Sequence, residues 1–335
     1  PSPNKHPCLL LVGFCVAKVM PWLSEKNTHA FDSLVRFEER DHKYFYTPTG
    51  EVVRKSMTAV LSPIFSHFDP LAVAKRYVPT WLKADGGDHP EKAHRYHHLC
   101  RARQLVEGET EEEVVNFMVS YWKSSGMDAA AEGTSVHRTL ELFIQGELQP
   151  SPDEPLPPCV ATYEDWKRSF YPNLEFEPWR TEFSMVLTTT VTTKSGLVAT
   201  IPVLAGQIDL ILRSKTTGKF VLIDWKNTHS RKGKIGRPNK RAFPPSAANS
   251  PFENFEATDF TKYSAQLEGY RYILLKMGYF EPGEIIGAFI VQVHSGLDRA
   301  HCIETADGLD ESFDECVVKM MEAEELAARE EYDLA

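Results

Sequence analysis

Two carboxylates and one ammonium sit where charge is expensive. Residues 206–226 read GQIDLILRSKTTGKFVLIDWK. Asp209 lies inside one apolar run, and Asp224 and Lys226 close a second. Both runs have the composition of strands, and Ser214 to Lys219, with Gly218 as breaker, is a short connection between them. Strand side chains alternate faces, so Asp224 and Lys226 point one way while Ile223 and Trp225 point the other. Pairing the two strands brings Asp209, Asp224 and Lys226 to one place. Buried charges of this kind must pair or hold a metal. Two hard carboxylates suit Mg²⁺ or Mn²⁺, and a Trp225 main-chain carbonyl is a further oxygen donor that hard cations accept. A neighbouring lysine can orient a water and offset charge developing on a phosphate.

Other elements must position these groups. Thr110 to Lys123 reads as a helix opened by a Thr110/Glu113 capping box. Thr134 to Gln145 reads as another helix, with His137 and Glu141 one turn apart and Gly133 giving its start room to pack against the sheet. A helix over 261–277 places Gln266 and Tyr270 on one face. They either pack that helix on the sheet or hydrogen-bond the lysine or a phosphate. The sheet is expected over 180–193, 198–213, 219–226 and 284–294. Asp69-Pro70 opens a helix, and 34–53 reads as a hairpin about Thr47-Pro48-Thr49-Gly50. After the second acid strand come Arg231, Lys232, Lys234, Arg237, Lys240 and Arg241 with no acid among them, a segment able to clamp phosphates. Phe243, Phe252 and Phe255 come next and are expected to anchor that loop to the core.

The spacing extends to a known pattern. Asp209, fourteen intervening residues and then Asp224-Trp225-Lys226 resemble the core of the PD-(D/E)XK nuclease superfamily. Gly133-Thr134-Ser135-Val136-His137 resembles the GxxxH motif of its RecB-like exonuclease branch, and Gln266-Leu267-Glu268-Gly269-Tyr270 that branch's QxxxY motif. Members include RecB and AddB nuclease domains, CRISPR-adaptation nucleases and the mitochondrial genome maintenance exonuclease. His42-x-Tyr44 followed by Ser56-x-Thr58-x-x-Leu61 loosely resembles the lead-in of some phage and mitochondrial-type relatives.

The resemblance implies a restriction-endonuclease-like α/β core: a central mixed sheet flanked by helices, with an N-terminal hairpin and a helical insertion. It implies that Asp209 and Asp224 bind a divalent ion, and that His137 ligates it or contacts a second one. Lys226 acts on the water, and Gln266 and Tyr270 border the site. Glu182 matches a metal-associated acid of some relatives, whereas Glu141 reads as a solvated helix acid. The implied activity is Mg²⁺- or Mn²⁺-dependent hydrolysis of DNA, on single strands or ends, leaving 5′-phosphates. A flap or branch endonuclease and a catalytically silent nucleic-acid-binding module are the alternatives. Some relatives hold an iron–sulfur cluster through a tight downstream cysteine group. Here only Cys302 and Cys316 lie downstream of the motifs, far apart, so no cluster is expected.

Composition sets the remaining bounds. The chain has 335 residues, 42% hydrophobic and 25% charged, and a net charge of −10, which is not that of a bulk-basic nucleic-acid binder. Six scattered cysteines without a CxxC pair suit free thiols in a reducing, intracellular compartment. No apolar run reaches the length of a membrane span, and Cys8 to Ala17 reads as a buried element or a targeting remnant. His89, His94, His97, His98 and Cys100 are expected on a polar helix face rather than around zinc. The expected organisation is an N-terminal extension (1–68), a helical region (69–150), the nuclease core (151–300) after the Pro-rich break at 150–158, and an acidic helix (301–335). That helix either docks a protein partner or covers the chain's own core.

Overall fold

The computed structural model describes residues 22–65, 68–83, 96–151, 153–170, 175–228, 251–253, 255, 258–297, 299–306 and 308–334. Helix α1 (Leu23–Lys26) precedes strands β1 (Val35–Glu38), β2 (Lys43–Tyr46) and β3 (Glu51–Val52). These pair as an antiparallel meander, not the single hairpin expected. Its second turn is the Thr47–Gly50 turn, with Gly50 at φ +75°. Val35, Tyr44 and Val53 hold it to the main sheet through Val186 and Ala205. Strand β4 (Lys55–Ser56) leads into α2 (Met57–Leu61), where the Ser56 hydroxyl accepts from the Ala59 N–H.

A helical layer comes next: α3 (Pro70–Trp81), α4 (His97–Val106) and α5 (Glu111–Gln145). Asp69 caps α3, with Pro in its first turn. The Thr110/Glu113 capping box opens α5, and Gly146 at φ +81° ends it. The sequence predicts two helices here, but α5 runs unbroken for 35 residues. Only glycines interrupt a run rich in alanine, and each costs a helix about 1 kcal/mol, too little to break it without a proline. Val78, Trp81, Cys100, Val114 and Met118 form a small core between these three helices.

The chain continues through α6 (Pro158–Phe170), β5 (Phe176–Thr192), β6 (Val198–Ser214), β7 (Phe220–Lys226), α7 (Asp259–Lys276), β8 (Ile285–Gln292), β9 (His301–Glu304) and α8 (Leu309–Leu334). The six-stranded mixed sheet has the order β4-β6-β7-β8-β9, with β5 on β6. Helices α5 and α6 cover one face through Leu140, Tyr163 and Trp166; α2, α7 and α8 cover the other through Met57, Leu267 and Phe313. The acidic helix α8 therefore spends its apolar face on the chain's own core, burying Leu309, Phe313, Val317 and Ala328. Cys302 packs with the α5/α6 layer and Cys316 with the α7/α8 layer. Among the described residues no helix is long and apolar enough to cross a membrane.

The long strand β6 has neighbours on both edges. One edge carries β5, from Phe176 opposite Ser214 to Thr192 opposite Val198. The other edge is shared: β4 runs parallel to it at Leu204 and Ala205, and β7 antiparallel to it from Leu210 to Arg213. Between these partners, at residues 206–209, the sheet forks.

Candidate active site

Asp209 stands at the fork. Its Oδ2 accepts the Trp225 N–H at 2.6 Å, so a side chain takes the place of a ladder bond where β7 leaves β6. Its Oδ1 lies 3.2 Å from His137 Nδ1, presented by α5. Directly across the β5–β6 ladder, between the Thr181–Leu210 and Phe183–Ile208 pairs, is Glu182. Its backbone is left-handed, φ +47°, a conformation that costs a non-glycine residue about 1–3 kcal/mol and persists where surroundings over-determine it. The Gln207 side chain donates to the Glu182 carbonyl at 3.1 Å and fixes this kink. One ligand atom each from His137, Glu182 and Asp209 lie within 4.8 Å of one another.

Strand alternation sets β7. Val221, Ile223 and Trp225 enter the α5/α6 layer, where the Trp225 ring lies 5.3 Å from Trp166 and 5.8 Å from Tyr163. Phe220 and Leu222 enter the α7 layer, and Asp224 and Lys226 share their parity. Lys226 Nζ is 2.6 Å from Asp224 Oδ2. It donates to Gln266 Oε1 at 3.4 Å and lies 4.6 Å from the Tyr263 ring centroid. Gln266 Nε2 in turn donates to the Tyr270 hydroxyl at 2.7 Å. Residues 263, 266 and 270 are spaced as one face of α7, so helical spacing from Gln266 and Tyr270 is the signal that points to Tyr263, a member of the row that the motifs alone do not name.

Tyr270 reaches the fork because Gly206 has no side chain. A Cβ there would stand 2.3 Å from Tyr270 Cε1. Around the fork opens a cleft of about 560 Å³, lined by His137, Glu182, Asp209, Asp224, Lys226, Gln266 and Tyr270, and by residues of the N-terminal meander.

The charges in this cleft compete. Burial raises the pKa of Glu182 well above the carboxylate range, and the Asp209 charge adds to it. Burial, only partly offset by Lys226, lifts Asp224 to about 6. Asp209 goes the other way: burial opposes ionisation, but His137 and Lys226 outweigh it and hold the carboxyl low. Burial also works against the His137 imidazolium, yet the Asp209 charge and hydrogen bond carry its pKa up to about 9. Lys226 likewise loses by burial and gains more from Asp224 and then Asp209. The site is a concentration of negative charge held by two cationic side chains.

Sequence reasoning and geometry differ at several positions. Gly133 does not relieve packing against the sheet: it lies mid-helix in α5, and a Cβ there would meet nothing within 4 Å. Glu141 is not solvated but buried, 2.5 Å from Arg138, on the cleft wall. His97 and Cys100 are also buried, against the small helical core, whereas His98 is exposed. Phe252 is fully buried beside Phe65, as an anchor, and Phe255 packs partly against the same core. The segment Arg231, Lys232, Lys234, Arg237, Lys240 and Arg241 lies outside the described residues, as do Phe243, His89, His94 and Cys8 to Ala17.

The family model of the PD-(D/E)XK nuclease superfamily matches residues 118–333. The chain belongs to this superfamily. The matched span takes in both acid strands, the His137 end of α5, α7 and α8. No curated protein matches the chain. Among solved structures, the one described as "Crystal structure of SSO0001" is 17% identical, with a TM-score of 0.25, over 49% of this chain and 56% of that one. A likeness so slight carries no argument. PD-(D/E)XK nucleases use divalent metals, and the donors present suit one. The three N/O atoms lie within 4.8 Å of one another, close to the roughly 4.2 Å that two bonds of about 2.1 Å to one ion can span, so a small closing movement suffices. Asp224 Oδ2, buried, has its ion pair to Lys226 but no hydrogen bond of good geometry.

Proposed function

We propose that this PD-(D/E)XK protein is a DNA exonuclease of the RecB-like branch, dependent on Mg²⁺ or Mn²⁺. It acts on single-stranded DNA or strand ends and leaves 5′-phosphates. The observation that carries the reading is the fork itself: the His137, Glu182 and Asp209 donor atoms within 4.8 Å, and Lys226 on the adjoining strand 2.6 Å from buried Asp224. The order of the GxxxH, Asp, Asp-x-Lys and QxxxY motifs along the chain supports the branch.

A bound divalent ion supplies a Lewis acid for the phosphoryl oxygen and a more acidic water. His137, Glu182, Asp209 and Asp224 would hold that ion, His137 and Glu182 giving up their protons as it binds, with the Trp225 carbonyl as a further oxygen. Lys226, steadied by Asp224 and Gln266, orients the attacking water and donates to the phosphoryl oxygens as charge builds on them. Tyr270 holds Gln266, and so the reach of Lys226, constant. The six cations between Arg231 and Arg241 come soon after the β7 end in the chain and bind the backbone of the incoming strand.

The test is degradation of a 5′-labelled single-stranded oligonucleotide with Mg²⁺, with Mn²⁺ and with EDTA, by the wild type and by Lys226→Ala. Metal-dependent cleavage is expected, reduced at least about 10²-fold in the variant, the range for losing one preorganised donor. Cleavage of circular single strands would replace the exonuclease by an endonuclease. Binding without cleavage of single-stranded, duplex or branched DNA in either metal would leave a silent binding module.

A further inference from the structure

The N-terminal meander lies outside the matched span, yet it walls the cleft. Phe37, Glu39, His42 and Tyr44 line it together with the fork residues. His42 and Tyr44 belong to the H-x-Y pattern of the sequence, and the hydrolysis proposed for the fork gives them no work. His42 sits at the β1–β2 turn with a left-handed backbone, φ +50°, its ring 5.1 Å from Phe37. Tyr44 is the better placed of the two. Its ring packs at 4.8 Å from Phe37 and within the Val186/Ala205 cluster that seats the meander on β5 and β6. Only 8% of the residue is exposed. Its hydroxyl makes no hydrogen bond to any described residue, although it borders a cleft crowded with acceptors. Burial, and then the charges of Glu182 and Asp209, raise its pKa, which places the phenol in the field of both acids.

The ring is buried, but the hydroxyl is not among the buried polar atoms left without a partner, so it opens into the cleft, where a ligand oxygen can replace water. A tyrosine hydroxyl can donate one hydrogen bond at neutral pH and suits an anionic acceptor. Nothing else is required of Tyr44 structurally, since its ring alone fills the space between Phe37 and Ala205.

We infer that Tyr44 is a substrate-contacting residue, whose hydroxyl donates a hydrogen bond to a non-bridging phosphate oxygen of the nucleic-acid strand lying in the cleft. The meander is thereby part of the active site. This rests on the nuclease reading and adds to it a phosphate contact from outside the matched core.

The experiment compares wild type, Tyr44→Phe and Tyr44→Leu. Tyr44→Phe keeps the ring and removes only the hydroxyl; Tyr44→Leu also disturbs packing and reports on folding. Three quantities are measured: kcat and KM on a single-stranded oligonucleotide, affinity for the same labelled oligonucleotide by anisotropy in EDTA, and Mn²⁺ affinity by calorimetry without DNA. Tyr44→Phe is expected to keep the melting temperature and the Mn²⁺ affinity of the wild type. It is expected to lose roughly ten- to a hundredfold in kcat/KM, the worth of a hydrogen bond to a charged acceptor. A Tyr44→Phe protein with wild-type cleavage and binding overturns the inference, and leaves the nuclease reading intact. A matched fall in Mn²⁺ affinity also overturns it, by making Tyr44 part of the ion site. If the wild type cleaves nothing, the nuclease reading fails by itself. The anisotropy comparison then decides Tyr44, with equal affinities counting against it.

Discussion

Gly206 shows how one missing side chain can hold a site together. The Tyr270 ring lies where a Cβ of residue 206 would be, and Tyr270 is the far anchor of the chain that runs through Gln266 to Lys226. Gly206→Ala must push back a ring that is itself buried, an overpacking cost of about 1–3 kcal/mol. The expected outcome is a lower urea midpoint together with a fall in kcat larger than that of Gln266→Ala alone. Full activity in Gly206→Ala would show that the ring can move without consequence for Lys226. Glu182 is the other residue whose backbone matters more than its type. Its left-handed φ is not foreseeable from an acid within an ordinary strand-like run, because the strain is set by the partner strand and by the Gln207 bond.

At the scale of elements, α5 joins two jobs. Its first half packs with α3 and α4, and its second half carries His137 to the fork. Gly133 lies between, one turn before His137, lining the cleft and touching nothing with its Cα face. Glycine inside a helix costs about 0.5–1 kcal/mol against alanine. Gly133→Ala is therefore expected to raise the melting temperature by about 1 °C, since an unfolding entropy of about 2.1 cal/mol/K per residue gives roughly 1.4 °C per kcal/mol at 335 residues, and to slow cleavage by narrowing the room beside His137. A stabilised Gly133→Ala enzyme of undiminished rate would remove any substrate role for this glycine. The meander and β4 make the same point from the other side of the cleft. They pair too few residues to be stable alone, and they stand because Val186 and Ala205 hold them on the main sheet.

Over the whole molecule, α8 closes the core. Phe313 is fully buried and reaches the position where a Cβ on Gly269 of α7 would be, next to Met57. At the other end, Arg54 pairs with Glu324 and Glu331, Lys55 with Glu324, and Thr189 with Glu325, tying α8 to β4 and β5. Glu331 and Lys55 are exposed, whereas Arg54 and Glu324 are partly buried, so the pairs add modestly; the buried apolar face holds the helix. Phe313→Ala is expected to cost about 3–5 kcal/mol, read as a shift in the denaturant midpoint. Because α7 bears Gln266 and Tyr270, cleavage should fall with it at temperatures where the fold persists. A loss under about 1 kcal/mol, small for a core aromatic, would mean that α8 is peripheral to the core.

The sequence by itself determined the acid-bearing strands, the one-face placement of Asp224 with Lys226, the Gln266–Tyr270 row and both capping signals of α3 and α5. Each rests on a local period or a local hydrogen bond, which adjacent residues are enough to specify. Tertiary structure alone decided that β6 shares one edge between β4 and β7, that Glu182 faces Asp209 across the ladder, that Glu141 and Tyr44 are buried at the cleft, and that α8 turns inward. Those outcomes depend on contacts between segments far apart in the chain. Burial and strand register are properties of the partner as much as of the residue, and no local pattern encodes the partner.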